Sequence, residues 1–131
     1  MKLWIDDLRS APAGYYRCFS VNETIQRIET LELMFEKSGG KKYYAIEVIS
    51  LDHDAGAFAK EGGDYIEILN WMERTGRNYP IHIHSMNPVG VENMRRVIRK
   101  NGWYGKKEDF VKIVEDIYNH MIEKVETIEK I

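Results

Sequence analysis

Short apolar runs alternate with longer amphipathic stretches along this chain, and that rhythm constrains the fold more than any other feature. The short runs are Lys2 to Ile5, Tyr15 to Phe19, Ala45 to Leu51 and Ile81 to Ser85. The longer stretches carry apolar residues at spacings of three and four: Ile25, Ile28, Leu31 and Met34, then Tyr65, Ile68, Leu69 and Met72, then Val91, Met94, Val97 and Ile98. Short runs suit strands and the wider spacing suits helices. Strands alternating with helices call for βα units around a mainly parallel sheet. The punctuation agrees. Ser20 and Glu23 form a capping box at a helix start, and Gly39-Gly40, Gly76 and Asn101-Gly102 stop the helices. Ile81-His82-Ile83-His84-Ser85 alternates apolar with polar, as an edge strand does. The stretch with Gly56, Gly62 and Gly63 is expected to be flexible.

A final segment from Lys107 places Phe110, Val114, Ile117, Met121, Val125 and Ile128 on one stripe. It predicts a long amphipathic helix that covers the sheet or partly serves a second copy in a homodimer. His120, on that helix, is expected at the surface. The 131 residues make one domain over 1–131 with one sizeable core. No uncharged apolar run is long enough for a membrane span, and Asp6-Asp7 interrupt the first run too early for a signal peptide. Nineteen Lys and Arg against 21 Asp and Glu give no global attraction for nucleic acid or an anionic membrane. The one cysteine, Cys18, rules out an intramolecular disulfide and suits a reducing, cytoplasmic compartment. It is expected to be a buried hydrophobe.

Chemistry collects where strands end. Asp6-Asp7, Asp52-His53-Asp54 and His84-Ser85 each follow an apolar run. In an open parallel sheet these ends share one edge, the edge that binds ligands. Clustered carboxylates repel, and a divalent cation relieves the repulsion. With oxygen donors prominent and no cysteine cluster, a hard ion such as Mg2+ fits, and Mn2+ is the alternative. Such an ion would attract phosphate oxygens. His53 and His84 stand beside the acids, where an imidazole can act as general acid or base. His82 is expected to be structural. Ser85 can hydrogen-bond a phosphate, and the turn Asn87 to Gly90 opens a helix whose N-terminus presents N–H groups to an anion. The basic run Arg95 to Lys100 is expected to be a solvated helix face, or else a hold on an RNA backbone.

These residues, in this order, resemble the receiver fold of response regulators: an acidic pair after the first strand, an aspartate after the third, a hydroxyl after the fourth. The chain is more closely similar to a divergent branch, the cyclic-phosphate processing receiver-like domains. Asp6-Asp7-Leu8-Arg9-Ser10-Ala11-Pro12 matches their first motif, and Leu51-Asp52-His53-Asp54-Ala55-Gly56 their second. Gly63-Asp64-Tyr65 and His84-Ser85-Met86-Asn87-Pro88-Val89-Gly90-Val91-Glu92-Asn93-Met94 match the rest. The motif-bearing core spans residues 1–103, with 107–131 as the C-terminal helix. The sequence departs from the branch at Val91, often Arg, and at Ala55, usually Leu. A fifth strand would have only Trp103-Tyr104 as a vestige, with Lys106 a poor stand-in for the receiver lysine.

The resemblance implies a three-layer, flavodoxin-like α/β domain with four or five short, mainly parallel strands. It implies a metal-dependent phosphoesterase acting on cyclic phosphates, on a small molecule or an RNA 2′,3′-cyclic end. Asp6, Asp7, Asp52 and Asp54 would hold the metal. Asp52, His53 and His84 would be catalytic, and Ser85, Asn87 and Asn93 would position phosphate. Two other functions fit the same residues: a signalling domain that accepts a phosphoryl group on Asp52, and a non-catalytic binding module that assembles through its last helix.

Overall fold

The structure is a computed structural model that describes residues 1–103 and 121–122. Strands β1 (Lys2–Ile5), β2 (Tyr15–Cys18), β3 (Val48–Leu51) and β4 (Ile81–Ile83) form one parallel sheet in the order β2-β1-β3-β4. Helices α1 (Val21–Lys37), α2 (Ile66–Thr75) and α3 (Pro88–Asn101) follow β2, β3 and β4. This is the receiver-like α/β architecture. No helix among the described residues is long and apolar enough to cross a membrane.

The crossovers β2-α1-β3 and β3-α2-β4 step across the sheet in the same direction. Both are expected to be right-handed, which puts α1 and α2 on one face. Accordingly α2 touches both α1 and α3. Leu3, Ile5, Ile49, Leu51 and Ile81 form a single core with Ile28 and Leu31 of α1, Ile68, Leu69 and Met72 of α2, and Met94 and Ile98 of α3. The alternate positions carry a different row. Trp4 pairs with Arg17 on β2 and with Ser50 on β3, and Ser50 pairs with His82 on β4. Strand geometry sends this row to the other face of the sheet. A third layer would cover that face. The helix expected from Lys107 lies outside the described residues, except Met121 and Ile122, which are helical. His120, Tyr104 and Lys106 also lie outside them.

Local chemistry sets the ends of the elements. Ser20 Oγ accepts from the Glu23 N–H at 3.1 Å, and the Glu23 carboxylate reaches back to the Phe19 N–H at 3.1 Å. The capping box therefore closes one residue earlier than its usual form. Met34, assigned to the apolar face of α1, is 39% exposed. The reason is length: 17 residues of helix span about 25 Å, and a four-residue strand only about 13 Å. The segment Ala45 to Glu47, expected to be strand, is bonded instead to Met1, through the Met1 ammonium on the Ala45 carbonyl and the Glu47 N–H on the Met1 carbonyl. The glycine-bearing stretch after Asp54 holds a 3-10 turn, Gly56–Lys60. Among the described residues strand β4 is last in the sheet order, and its Ile81 N–H meets the Trp103 carbonyl at 3.3 Å. Trp103 thus closes the start of the edge without forming a strand. Cys18 is fully buried, and burial pushes its thiol up to about 12.

Candidate metal and phosphate site

The sheet ladder runs one residue past β1, β3 and β4. The Asp6 N–H bonds the Cys18 carbonyl, the Asp52 N–H bonds the Ile5 carbonyl, and the His84 N–H bonds the Leu51 carbonyl. This extension keeps Asp6, Asp52 and His84 in line with Trp4, Ser50 and His82, two residues earlier on the same strands. The polar face therefore ends in the site, and the in-phase register decides which side chains meet.

Asp6 is fully buried. Its Oδ1 accepts from the Leu8 and Arg9 backbone N–H groups, each at 2.9 Å, and its Oδ2 accepts from His84 Nε2 at 2.9 Å. Burial opposes its ionisation, but the two amides and the imidazole outweigh burial and hold the carboxyl below the usual range. Asp7 and Asp52 join it. One carboxylate oxygen from each of Asp6, Asp7 and Asp52 lies within 4.8 Å of the others. Gly56 leaves the space that Asp7 occupies: a Cβ there would stand 2.4 Å from Asp7 Oδ2, at a φ of +55°.

The donor set fits a hard divalent cation. All three groups are carboxylates, the oxygen donors such an ion takes. A carboxylate has about four lone-pair sites. Asp6 spends two on backbone amides and one on His84, which leaves one, on Oδ2, with Arg9 Nε 3.8 Å from that oxygen.

Asp54 does not join this trio. It is 61% exposed, and its Oδ1 accepts from His53 Nδ1 at 2.7 Å. That hydrogen bond is the main reason its carboxyl is held below the usual range. Asn87 Nδ2 lies 3.4 Å from both Asp54 oxygens and from His53 Nδ1. The His53 ring lies against Gly90, where a Cβ would fall 2.3 Å from the ring carbons. His53 therefore has one nitrogen on Asp54, and Nε2 is the nitrogen left for chemistry.

His84 has both nitrogens engaged. Nε2 is on Asp6, Nδ1 is 2.8 Å from Ser50 Oγ, and the ring stacks on Trp4 at 3.6 Å between centroids. Burial lowers its pKa, against the pull of Asp6. Its place is behind Asp6, so any effect on a substrate runs through that carboxylate. Arg9 closes the group: its guanidinium donates to the His84 carbonyl at 2.7 Å, and its own carbonyl accepts from Trp4 Nε1 at 3.1 Å.

At the head of α3, Ser85 Oγ accepts from the Asn87 N–H at 3.1 Å, and Asn87 Oδ1 caps the Gly90 N–H at 3.0 Å. Pro88 has no N–H. The helix start thus fills much of its own donor set, and an anion would meet side chains here more than the free amides that the sequence led us to expect. Asn93 lies further along α3, exposed. Four residues escaped assignment to the site from sequence: Trp4, Arg9, Ser50 and His82. A signal for three of them existed. Each stands two residues before a strand-end polar group, as Trp4 does before Asp6, Ser50 before Asp52, and His82 before His84.

Comparison with curated proteins and with solved structures finds no match. Among protein families, residues 1–100 match the cyclic-phosphate processing receiver domain. The chain belongs to that family.

Proposed function

We propose that this protein is a metal-dependent phosphoesterase that opens cyclic phosphates, with a nucleotide or RNA 2′,3′-cyclic phosphate as the substrate class. The observation that carries the reading is the meeting of Asp6, Asp7 and Asp52 within 4.8 Å. These three would hold Mg2+ or Mn2+, which when bound polarises phosphoryl oxygens and draws the phosphate in. In hydrolysis, a water oxygen bonds to phosphorus, one ring P–O bond breaks, and the departing ribose oxygen takes up a proton. His53 takes the proton from water at Nε2, since Nδ1 is oriented by Asp54. Ser85 and Asn87 orient the phosphate. The Asn87 contacts at 3.4 Å are long for hydrogen bonds, so its amide can turn to a better acceptor. Asn93 serves as an outer contact for the same phosphate.

Incubation with 2′,3′-cyclic nucleotides and Mg2+ or Mn2+ tests the reading, by following release of the ring-opened monophosphate. We expect metal-dependent turnover that falls at least a hundredfold in Asp52→Asn and in His53→Ala. No turnover by folded, metal-saturated protein across nucleotide and RNA substrates would overturn it.

A further inference from the structure

Ser50 and His82 lie outside the motifs that define the site, yet they join it through an unbroken set of hydrogen bonds. Ser50 Oγ is 3.0 Å from His82 Nδ1 and 2.8 Å from His84 Nδ1, and His84 Nε2 is 2.9 Å from Asp6 Oδ2. Ser50 is 1% exposed and His82 stands at the exposed end. We propose that Ser50 and His82 are positioning residues that lock the His84 tautomer and thereby fix which Asp6 lone pair is left for a cation.

The direction of every bond follows from one end. An ionised carboxylate only accepts, so His84 Nε2 must carry the hydrogen. A neutral imidazole then has a bare Nδ1, which needs a donor. The Ser50 hydroxyl supplies it. A hydroxyl that donates to His84 is left with acceptor capacity towards His82, whose Nδ1 carries the hydrogen and donates back. Each proton has one place. The register builds this chain: β3 puts Ser50 beside His82 on β4, and His84, two residues on, points to the same face. The His84 ring is held flat on Trp4, which sits opposite Ser50 on β1. His84 then takes one lone pair of Asp6 Oδ2, on the carboxylate that groups with Asp7 and Asp52. Partners of this kind, one shell behind a metal ligand, typically change metal affinity by 10–100-fold. The proposal rests on the reading of Asp6, Asp7 and Asp52 as a cation site.

The test uses histidine-labelled full-length protein at a pH well above the ordinary histidine value. Two-bond proton–nitrogen NMR correlations separate bare from protonated ring nitrogens, and titration with Mn2+ alone measures affinity. In the wild-type protein, His84 is expected to carry hydrogen on Nε2 only. In Ser50→Ala, the Nδ1 resonance should move towards an unbonded nitrogen or acquire hydrogen, and Mn2+ affinity should fall about tenfold. His82→Phe keeps the ring and removes the donor, and should shift both readouts in the same direction by less. His82→Asn restores an N–H near the lost one and should return them towards wild type. Because His82 is exposed, those two variants remain informative if Ser50→Ala fails to fold. An unchanged His84 spectrum in the folded variants, or His84 hydrogen on Nδ1 in the wild type, overturns the proposal. Equal Mn2+ affinity in wild type and variants overturns it while leaving the cation site standing. Absence of Mn2+ binding by the wild type removes the cation site, and the proposal with it.

Discussion

Gly90→Ala offers a sharp examination of the site, because helix propensity and site geometry push in opposite directions. Gly90 lies in the first turn of α3 and is buried. Alanine in a helix is favoured over glycine by up to about 1 kcal/mol. The added Cβ, however, would sit 2.3 Å from His53 Cγ and Cδ2 and 2.6 Å from Nδ1. Ordinary carbon contacts lie near 3.5–4.0 Å, so the ring must move by more than about 1 Å. That motion breaks the 2.7 Å bond to Asp54. Overpacking of this kind costs about 1–3 kcal/mol, which leaves a net loss of roughly 0–2 kcal/mol after the propensity gain. A displacement of about 1 Å at a catalytic group costs on the order of a hundredfold in rate. Urea denaturation of the double-mutant cycle Gly90→Ala with His53→Ala isolates the clash. With the ring gone, Gly90→Ala should turn neutral or stabilising, giving a coupling of about 1–3 kcal/mol. Additive effects in the cycle, or wild-type turnover in Gly90→Ala, would show that His53 is not seated against Gly90.

Asp52→Asn should raise the metal-free melting temperature, by roughly 1 kcal/mol of relieved repulsion, because it removes one of three crowded charges. The same variant should lose the added stability that a hundredfold excess of Mn2+ over its Kd gives the wild type, about 2.7 kcal/mol. Equal metal-induced shifts in the two proteins would argue against ligation by Asp52. Acidification should destabilise the fold in two steps. His84 and Asp6 both have folded values below their ordinary ones, so the unfolded chain binds protons first and stability falls with pH. The first loss begins below about 6.5 and the second below about 4. Denaturation midpoints across that range check the sign, and His84→Phe should flatten the upper step. Acetyl phosphate followed by intact mass measurement separates the esterase from a phosphoacceptor. We expect no stable mass gain, and a gain that disappears in Asp52→Asn would favour the signalling alternative.

Local pattern was enough to read the order of the elements, most of the core and the residues available for chemistry. Period-two runs and helical stripes are local properties, and they survive folding because each element must bury one face. Hence the buried faces of α2 and α3, strand β1, and strand β4 up to Ile83, two residues short of the expected Ser85, were legible in advance. The Asp6-Asp7, Asp52 and His84 clusters were legible as strand ends for the same reason. Pairing between side chains came from the assembled fold. Asp54, two residues after Asp52, turns out to His53 and Asn87, because the sheet ladder ends at Asp52 and strand alternation no longer places the residues beyond it. His84, read as a proton carrier for substrate, has its nitrogens committed to Asp6 and Ser50, because register sets Ser50 beside His82 and one step below Asp52. Register is a relation between strands far apart in the chain, and no local pattern encodes it. The role of Ser50 could be read only once β1, β3 and β4 were side by side.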